Sequence, residues 1–576
     1  MTWSTEQQEW RSGPWSLAVR GDEFADIAFD GAPVLRSVRA VVRDRNWDTA
    51  PLVVDRVRDS GATLTLHVHS AGLGSSFRGI VRVEARHTRL VVIADLESEH
   101  DFASNRTGLV VLHPPQLAGA ALRVAHTDGT LEESSFPAAI SPHQPVRDIA
   151  ALSWLHSGLE VSVGFAGDVF EMEDQRNWSD ASYKTYSRPL AIPFPYAIAA
   201  EERVRQSVQI DVRAVTASAS PTDRDRIRLQ DGGAVVQIGL GAASGPDPAT
   251  PSPAAGQRTL LVELDLRTPN WRAALQRAVA GKAPLDVRLI GTAAALPDEL
   301  AASLAAAAAD TDIVRVGVFD ADLHVTDAAL LAAVRDVLAA ADLHVPVIVG
   351  SRAHFTELNR EWETIPRDAD GIAFSTTPLF HSLDTQQLIE SVAVQRTIAG
   401  QAAGLAAGLA VHIGPVTLRP RFNDVATTPP TLPSRPDLSE GYGAEFTGAV
   451  DTRQQAPELA AWTVASAAAL AVPGVASIAY FEEWGDRGIR SATGAPFPVA
   501  AAVEALTALA EPGALLLWGD SPDGLVWAVG ARTAAEDVVL VANLDGVPRE
   551  LTVSVGEQAP VVRVDPLSFR RVALPR

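Results

Sequence analysis

Up to about Val215, apolar and polar residues alternate in short runs broken by turn residues. Ser60–Ser70 (SGATLTLHVHS), Leu90–Glu97 (LVVIADLE) and Leu159–Phe165 (LEVSVGF) are examples. A period of two places one face of a strand in a core and the other towards water, so this region predicts antiparallel sheets packed as a sandwich. From about Gly233 the pattern changes to short β-branched runs separated by Ala-rich helical stretches. Eight runs are present: Ala234–Gly239, Thr259–Leu266, Leu285–Ile290, Ile313–Phe319, Val345–Gly350, Gly371–Ser375, Leu409–Gly414 and Ala476–Phe481. Helical patterns lie between them at Trp271–Ala280, Glu299–Ala309, Asp327–Ala341, Gln386–Ala403 and Ala456–Ala471. Repeated β-then-α units imply parallel strands joined by right-handed crossovers, and eight such units imply a closed barrel. After a last helix at Pro498–Ala510, strand texture returns at Val526–Ala531, Asp537–Asn543, Glu550–Val555 and Val561–Val564.

The expected architecture is therefore multidomain α/β plus β. An N-terminal β-sandwich occupies residues 1–225, a central (β/α)8 TIM barrel 226–512, and a small C-terminal β-sandwich domain 513–576. The Pro/Ala/Ser-rich stretch Gly241–Gln257 reads as a loop after the first barrel strand, since a domain linker there would leave the barrel one strand short. The uncharged stretch Ala460–Phe481 is long enough to span a bilayer, but Pro473-Gly474 divides it into a buried helix, a turn and a strand.

Composition narrows the function. The chain has 576 residues, 47% of them hydrophobic, which suits two to four globular cores. A net charge of −22 argues against nucleic acid or an anionic membrane as partner, leaving a small substrate and scope for a homo-oligomer. With no cysteine, thiolate catalysis, disulfides and iron–sulfur clusters are excluded. The stretch Met1–Val19 has no apolar run of the kind that leads a chain out of the cell, so a cytoplasmic location is expected. No Walker loop, G-x-G-x-x-G, H-E-x-x-H or G-x-S-x-G is present, so no cofactor is expected.

Barrel enzymes work at the C-terminal ends of their strands. The fifth run is followed by FTELNR (Phe355–Arg360), with Glu357, Asn359 and Arg360, and the eighth by FEEWGDRG (Phe481–Gly488), with Glu482 and Arg487. Carboxylates on strands three apart suit a general acid/base or nucleophile–acid pair, and Glu357 and Glu482 are the catalytic candidates. His381 follows the sixth run as a possible proton shuttle, donor or ligand, and Arg419 and Arg421 follow the seventh as oxyanion or carboxylate partners. In the sandwich, Phe170–Tyr186 packs charges, amides and aromatics without alternation. Asp174, Asn177, Trp178 and Lys184 there either complete a sugar site or form a buried network locking sandwich to barrel. Arg43–Trp47 (RDRNW) has similar texture.

These segments together resemble the D-apionate lactonases of bacterial apiose catabolism. The carriers are RDRNW, NRTGLVVLHPP (Asn105–Pro115), SPHQP (Ser141–Pro145), FEMEDQRNWSDASYKTYSRPL (Phe170–Leu190), FTELNR, GPVTLRPRFN (Gly414–Asn423) and YFEEWGDRG (Tyr480–Gly488). The resemblance implies a β domain, a TIM barrel and a C-terminal β domain, and a hydrolase of sugar-acid lactones that converts D-apionolactone to D-apionate. Three readings compete: lactone hydrolysis with Glu357 as base, Glu482 as its partner or acid, and Arg419, Asn359 or His381 holding the carbonyl oxygen; a glycoside hydrolase using the two Glu carboxylates; and a non-catalytic carbohydrate-binding protein. A metal-assisted lactonase with Glu357, His381 and Glu482 sharing one ion is a variant of the first.

Overall fold

The computed structural model describes residue 3 and residues 7–215, 224–247, 258–428, 431–442 and 450–576. The tail of the Gly241–Gln257 loop, from 248 onward, lies outside the described residues.

Residues 7–215 build an all-β domain in which seventeen strands join one antiparallel hydrogen-bonded network and a short pair, Phe102–Ser104 with Tyr196–Ile198, stands apart from it. Alternation in the sequence becomes alternation in burial. Along Arg89–Ser98 every second side chain, from Leu90 to Leu96, is buried, while the residues between stay partly in water. The inward side chains make one core, with Phe24, Phe77, Phe136 and Phe170 among its largest members.

Eight parallel strands then close a barrel: Gln237–Gly241, Leu260–Asp265, Leu285–Gly291, Ile313–Asp320, Val347–Gly350, Gly371–Thr376, Ala410–Val416 and Val475–Glu482. A barrel strand is covered on both faces, so its burial is continuous rather than alternating, as in Leu285–Gly291, where all positions are buried. Helices follow the second to eighth strands. The helix after the fifth is one short stretch, Phe355–Arg360. The uncharged segment Ala460–Phe481 resolves into the helix Leu459–Leu470 and the eighth strand. That helix is buried at every residue, because it lies between its barrel neighbours and the C-terminal sheet and shares a core with Trp527, Val529 and Leu540. Its alanines let these layers approach closely, and Trp462 fills the space they leave, donating Nε1–H to the Leu388 carbonyl at 2.7 Å. Among the described residues, no helix is long and apolar enough to cross a membrane.

The last region is a seven-stranded sheet, and one of its strands comes from before the barrel. Arg226–Leu229 pairs in parallel with Thr552–Val555, and Gln230–Ala234 pairs with the strand Leu515–Trp518. Residues 226–234, assigned on sequence to the barrel domain, thus belong to the C-terminal sheet, and the first barrel strand begins at Gln237 rather than at Ala234. The physical reason is visible in RIRL: Ile227 and Leu229 are buried while Arg226 and Arg228, which alternate with them, are exposed, a one-sided pattern that a barrel strand covered on both faces does not accept.

Truncating the side chain that fills the alanine-lined gap tests this packing. Trp462→Ala is expected to cost about 3–5 kcal/mol, read as a lowered denaturation midpoint. An unchanged midpoint would refute the packing role.

Candidate active site between the β domain and the barrel mouth

The segment Phe170–Tyr186 folds as a hairpin. Strands Phe170–Asp174 and Tyr183–Ser187 pair in a register that sets Glu173 opposite Lys184. Their charged ends meet at 2.6 Å, a cross-strand ion pair fixed by the backbone. Between the strands the chain makes a 3-10 turn over Gln175–Trp178 and turns back through Ser179 in the left-handed region, at φ 66°. Asp174 holds the turn. Its carboxylate is fully buried and accepts from Arg176 Nε and Nη2 and from the Ser141 amide at 2.8, 2.7 and 2.9 Å.

This turn docks on the barrel mouth through polar groups. Asn359 of the short helix donates to Asn177 Oδ1 at 2.9 Å and to the Ile140 carbonyl. Gln401 brackets the same residue, accepting from the Ile140 amide at 2.7 Å and donating to its carbonyl at 3.0 Å. Ser179 meets Thr376 at 2.8 Å, and Asp180 meets His381 Nδ1 at 2.6 Å. From the barrel side, Asn423 and Thr427 donate to the Asn46 and Arg45 carbonyls at 2.9 and 2.8 Å.

The two surfaces enclose a cavity of about 1050 Å³. Seven Arg and Lys side chains line it against four carboxylates, so it is electropositive within a chain of net charge −22. Trp178 stacks on Phe380 with ring centroids 4.4 Å apart, forming an aromatic wall. Arg39 is neutralised by Asp22 at 3.0 Å. Arg43, Arg106 and Arg419 have no carboxylate partner among the described residues. Arg106 instead lies 3.5 Å above the Tyr186 ring. Burial, and then the neighbouring Arg106, bring Arg43 down to about 10. Burial brings Lys184 down to about 8, because Glu173 offsets only part of its cost. Burial works to raise Glu173, but Lys184 and Arg360 outweigh it and hold the carboxylate well below its usual range. His381 is lowered from 6.5 by burial against the opposing pull of Asp180, so its imidazole is neutral at pH 7. With Asp180 accepting, Nδ1 carries the proton and Nε2 keeps a lone pair, and Nε2 has no partner among the described residues.

Of the residues the sequence singles out, Trp178, Lys184, Arg360, His381 and Arg419 line this cavity. Asp174, Asn177 and Asn359 belong to the seam that joins the domains and do not line it. Glu357 and Glu482 are not brought together at it. Glu482 accepts from Ser244 Oγ at 2.7 Å, from the Ser244 amide at 3.1 Å and from Arg487 Nε at 3.0 Å, so Arg487 neutralises it. Arg421 pairs with Glu263 and donates to the Arg352 carbonyl at 2.6 Å. Glu357 accepts the His354 amide at the start of its helix, behind the aromatic wall, where burial and then Asp424 push its carboxyl well above the usual range. The metal set suggested by sequence regroups too: His354, Glu357 and Asp424 have ligand atoms within 4.8 Å of one another, whereas His381 and Glu482 stand in other networks. Reading the sequence does not single out Arg43, Arg106, Glu173 or Asp180. For Arg43, Glu173 and Asp180 the signal was the dense charged texture of RDRNW and Phe170–Tyr186, which marks a region without ranking its members, whereas Arg106 lies outside both segments.

Comparison with known proteins gives one family. Residues 2–215 match "D-apionate lactonase, N-terminal domain", and residues 242–511 match "D-apionate lactonase, TIM barrel domain". A D-apionate lactonase of Brucella anthropi is 30% identical over 456 residues, covering 72% of this chain and 73% of its own. Among solved structures, a GH30 endoxylanase from Clostridium papyrosolvens C71 aligns at 10% identity and a TM-score of 0.37, covering 61% of this chain and 99% of that one. A beta-arabinopyranosidase aligns at 11% identity and a TM-score of 0.27, covering 99% and 98%. Both scores are too low to bear on chemistry.

An unpaired guanidinium lining such a cavity is expected to bind anions. Arg43→Met should weaken competitive binding of a small hydroxy-carboxylate by roughly 10–100-fold, the scale of one lost charge-assisted hydrogen bond. Calorimetric titration giving equal affinities for both proteins would remove Arg43 from this role.

Proposed function

This chain belongs to the D-apionate lactonase family and is a hydrolase, and on that premise we propose that it opens a sugar-acid lactone, D-apionolactone being the first substrate to test, in the cavity between β domain and barrel, with His381 as general base. The observation that carries this reading is the Asp180–His381 pair at the edge of a cavity rich in Arg and Lys.

Lactone hydrolysis needs a base for water, positive charge for the tetrahedral oxyanion, and a proton for the leaving ring oxygen. Asp180 fixes the His381 ring with Nδ1 protonated, and Nε2 takes a proton from water as its oxygen bonds to the lactone carbonyl carbon. The carbonyl electrons move onto the oxygen, where Arg43 and Lys184 offset the new charge. Collapse re-forms the carbonyl and breaks the bond to the ring oxygen, which receives the proton held by His381. The resulting hydroxy acid loses its carboxyl proton to solvent, and the carboxylate product suits the same cations. Trp178 offers an apolar face to the sugar ring, and Glu173 is an acceptor for its hydroxyls. The glycosidase alternative has less support, because Glu482 is neutralised by Arg487 and Glu357 stands behind the aromatic wall.

The test is hydrolysis of D-apionolactone, other aldonolactones and aryl glycosides. Lactone opening that falls roughly 10²–10⁴-fold in His381→Ala, and comparably in Asp180→Asn, is expected. Wild-type rates in His381→Ala, or cleavage of aryl glycosides with inert lactones, would overturn the reading.

The pH profile follows from the two shifted groups. His381 must be neutral, so kcat/KM should rise with pH along an acid limb centred below 6.5. Lys184 must be charged, so the rate should fall again as pH passes about 8. A profile still rising through pH 9 would exclude Lys184 from the oxyanion role.

A further inference from the structure

Behind the aromatic wall, the ends of the fifth and seventh barrel strands converge on three ligand-type side chains. His354 and Glu357 stand at the start of the short helix Phe355–Arg360, and Asp424 stands on the loop after the seventh strand. Their ligand atoms all lie within 4.8 Å of one another, and His354 Nδ1 is 3.2 Å from Asp424 Oδ2. Two ligand atoms about 2.0–2.2 Å from a tetrahedral ion are separated by about 3.4 Å, so the set needs only small adjustments to close around one.

A second observation distinguishes this cluster from a chance meeting of acids. The Asp424 side chain is fully buried, and its Oδ1 has no hydrogen-bond donor although its Oδ2 faces His354. A buried carboxylate oxygen without a donor carries the full cost of its lost hydration. Around it are a second carboxylate, Glu357, whose Oε2 accepts the His354 amide, and one imidazole, whose contact with Asp424 Oδ2 leaves Oδ1 unmet. A divalent cation would supply what is missing, taking one oxygen from each carboxylate and one nitrogen from His354. The mixed nitrogen and oxygen donor set, without sulfur, suits zinc or manganese better than calcium, which takes six to eight oxygens.

We propose that His354, Glu357 and Asp424 bind one divalent transition-metal ion, Zn²⁺ or Mn²⁺, that pins the seventh-strand loop to the fifth-strand helix. This site is separate from the cavity, whose lining includes none of the three. It acts on the cavity through its wall: the His354 ring lies 5.0 Å from Phe380 and 5.6 Å from Trp178. Asp424 is flanked by Asn423, which grips the β domain at the Asn46 carbonyl. An ion fixing Asp424 and His354 would hold wall and loop in one position. The proposal stands apart from the hydrolytic reading, since its readout is metal binding.

The experiment uses the full chain, dialysed against a chelator, freed of it, and titrated with ZnCl₂ and separately MnCl₂ in a calorimeter. One equivalent of at least one ion is expected to bind, raising the unfolding temperature. Asp424→Asn and His354→Gln should each weaken binding at least about tenfold, with Glu357→Gln replacing either variant that fails to fold by circular dichroism. For Mn²⁺, loss of the free-ion paramagnetic resonance signal at one equivalent would report the same event. Absence of stoichiometric binding of both ions, or affinities unchanged in the folded variants, would overturn the proposal.

Discussion

Polar groups buried at the seam between β domain and barrel set the geometry of everything around them. An amide or carboxylate withdrawn from water costs free energy unless a partner meets it with the right distance and direction. Asp180 meets His381, Asn177 meets Asn359, and Ile140 is bracketed by Gln401, each pair crossing from one domain to the other. Two apolar faces can slide over one another at little cost. Two faces joined by directed bonds have one satisfactory placement, and that placement creates the cavity and aims His381 along its edge. The same residues that hold the domains together therefore orient the proposed base.

The barrel was legible because its physics is periodic. A strand covered on both faces is rich in β-branched and apolar residues, and the crossover between two such strands must return the chain to the starting side, so the repeated β-then-α texture carries its own assignment even where Asp286, Arg288 and Arg315 interrupt it and pair with one another. The short helix after the fifth strand was less visible: six residues are too few for a helical period to emerge. Arg226–Ala234 was misplaced for a different reason. Sequence order suggested a barrel segment, while the alternation of RIRL pointed to a one-sided sheet, and the sheet that accepts it is completed by strands at the far end of the chain.

The site was legible as a set of places and not as a set of roles. Strand-end position located Glu357, His381, Arg419 and Glu482 in the barrel, and the dense hairpin located Trp178 and Lys184. Which way each side chain turns depends on partners distant in sequence. Glu482 is drawn aside by Arg487 and Ser244, the latter from the loop after the first strand. The His381 ring is oriented by Asp180, on the other domain. The overall charge was likewise a poor guide to local chemistry: the acidity of the chain is spread over its surface, whereas the cations are gathered where the two domains meet.

The strand Arg226–Leu229 has a consequence for how the molecule is made. It lies beside Thr552–Val555, yet it leaves the ribosome before any of the barrel, and its partner leaves after all of it. During synthesis this strand has no sheet to join, and its apolar side chains Ile227 and Leu229 wait without a core. The β domain can complete its hydrogen-bond network early, but the barrel's entry and exit are fastened together only once the strands that follow the barrel have been made. Loop closure over such a span is slow in proportion to its entropy. The order of synthesis thus leaves the C-terminal sheet as a clasp that cannot close before the barrel has been made.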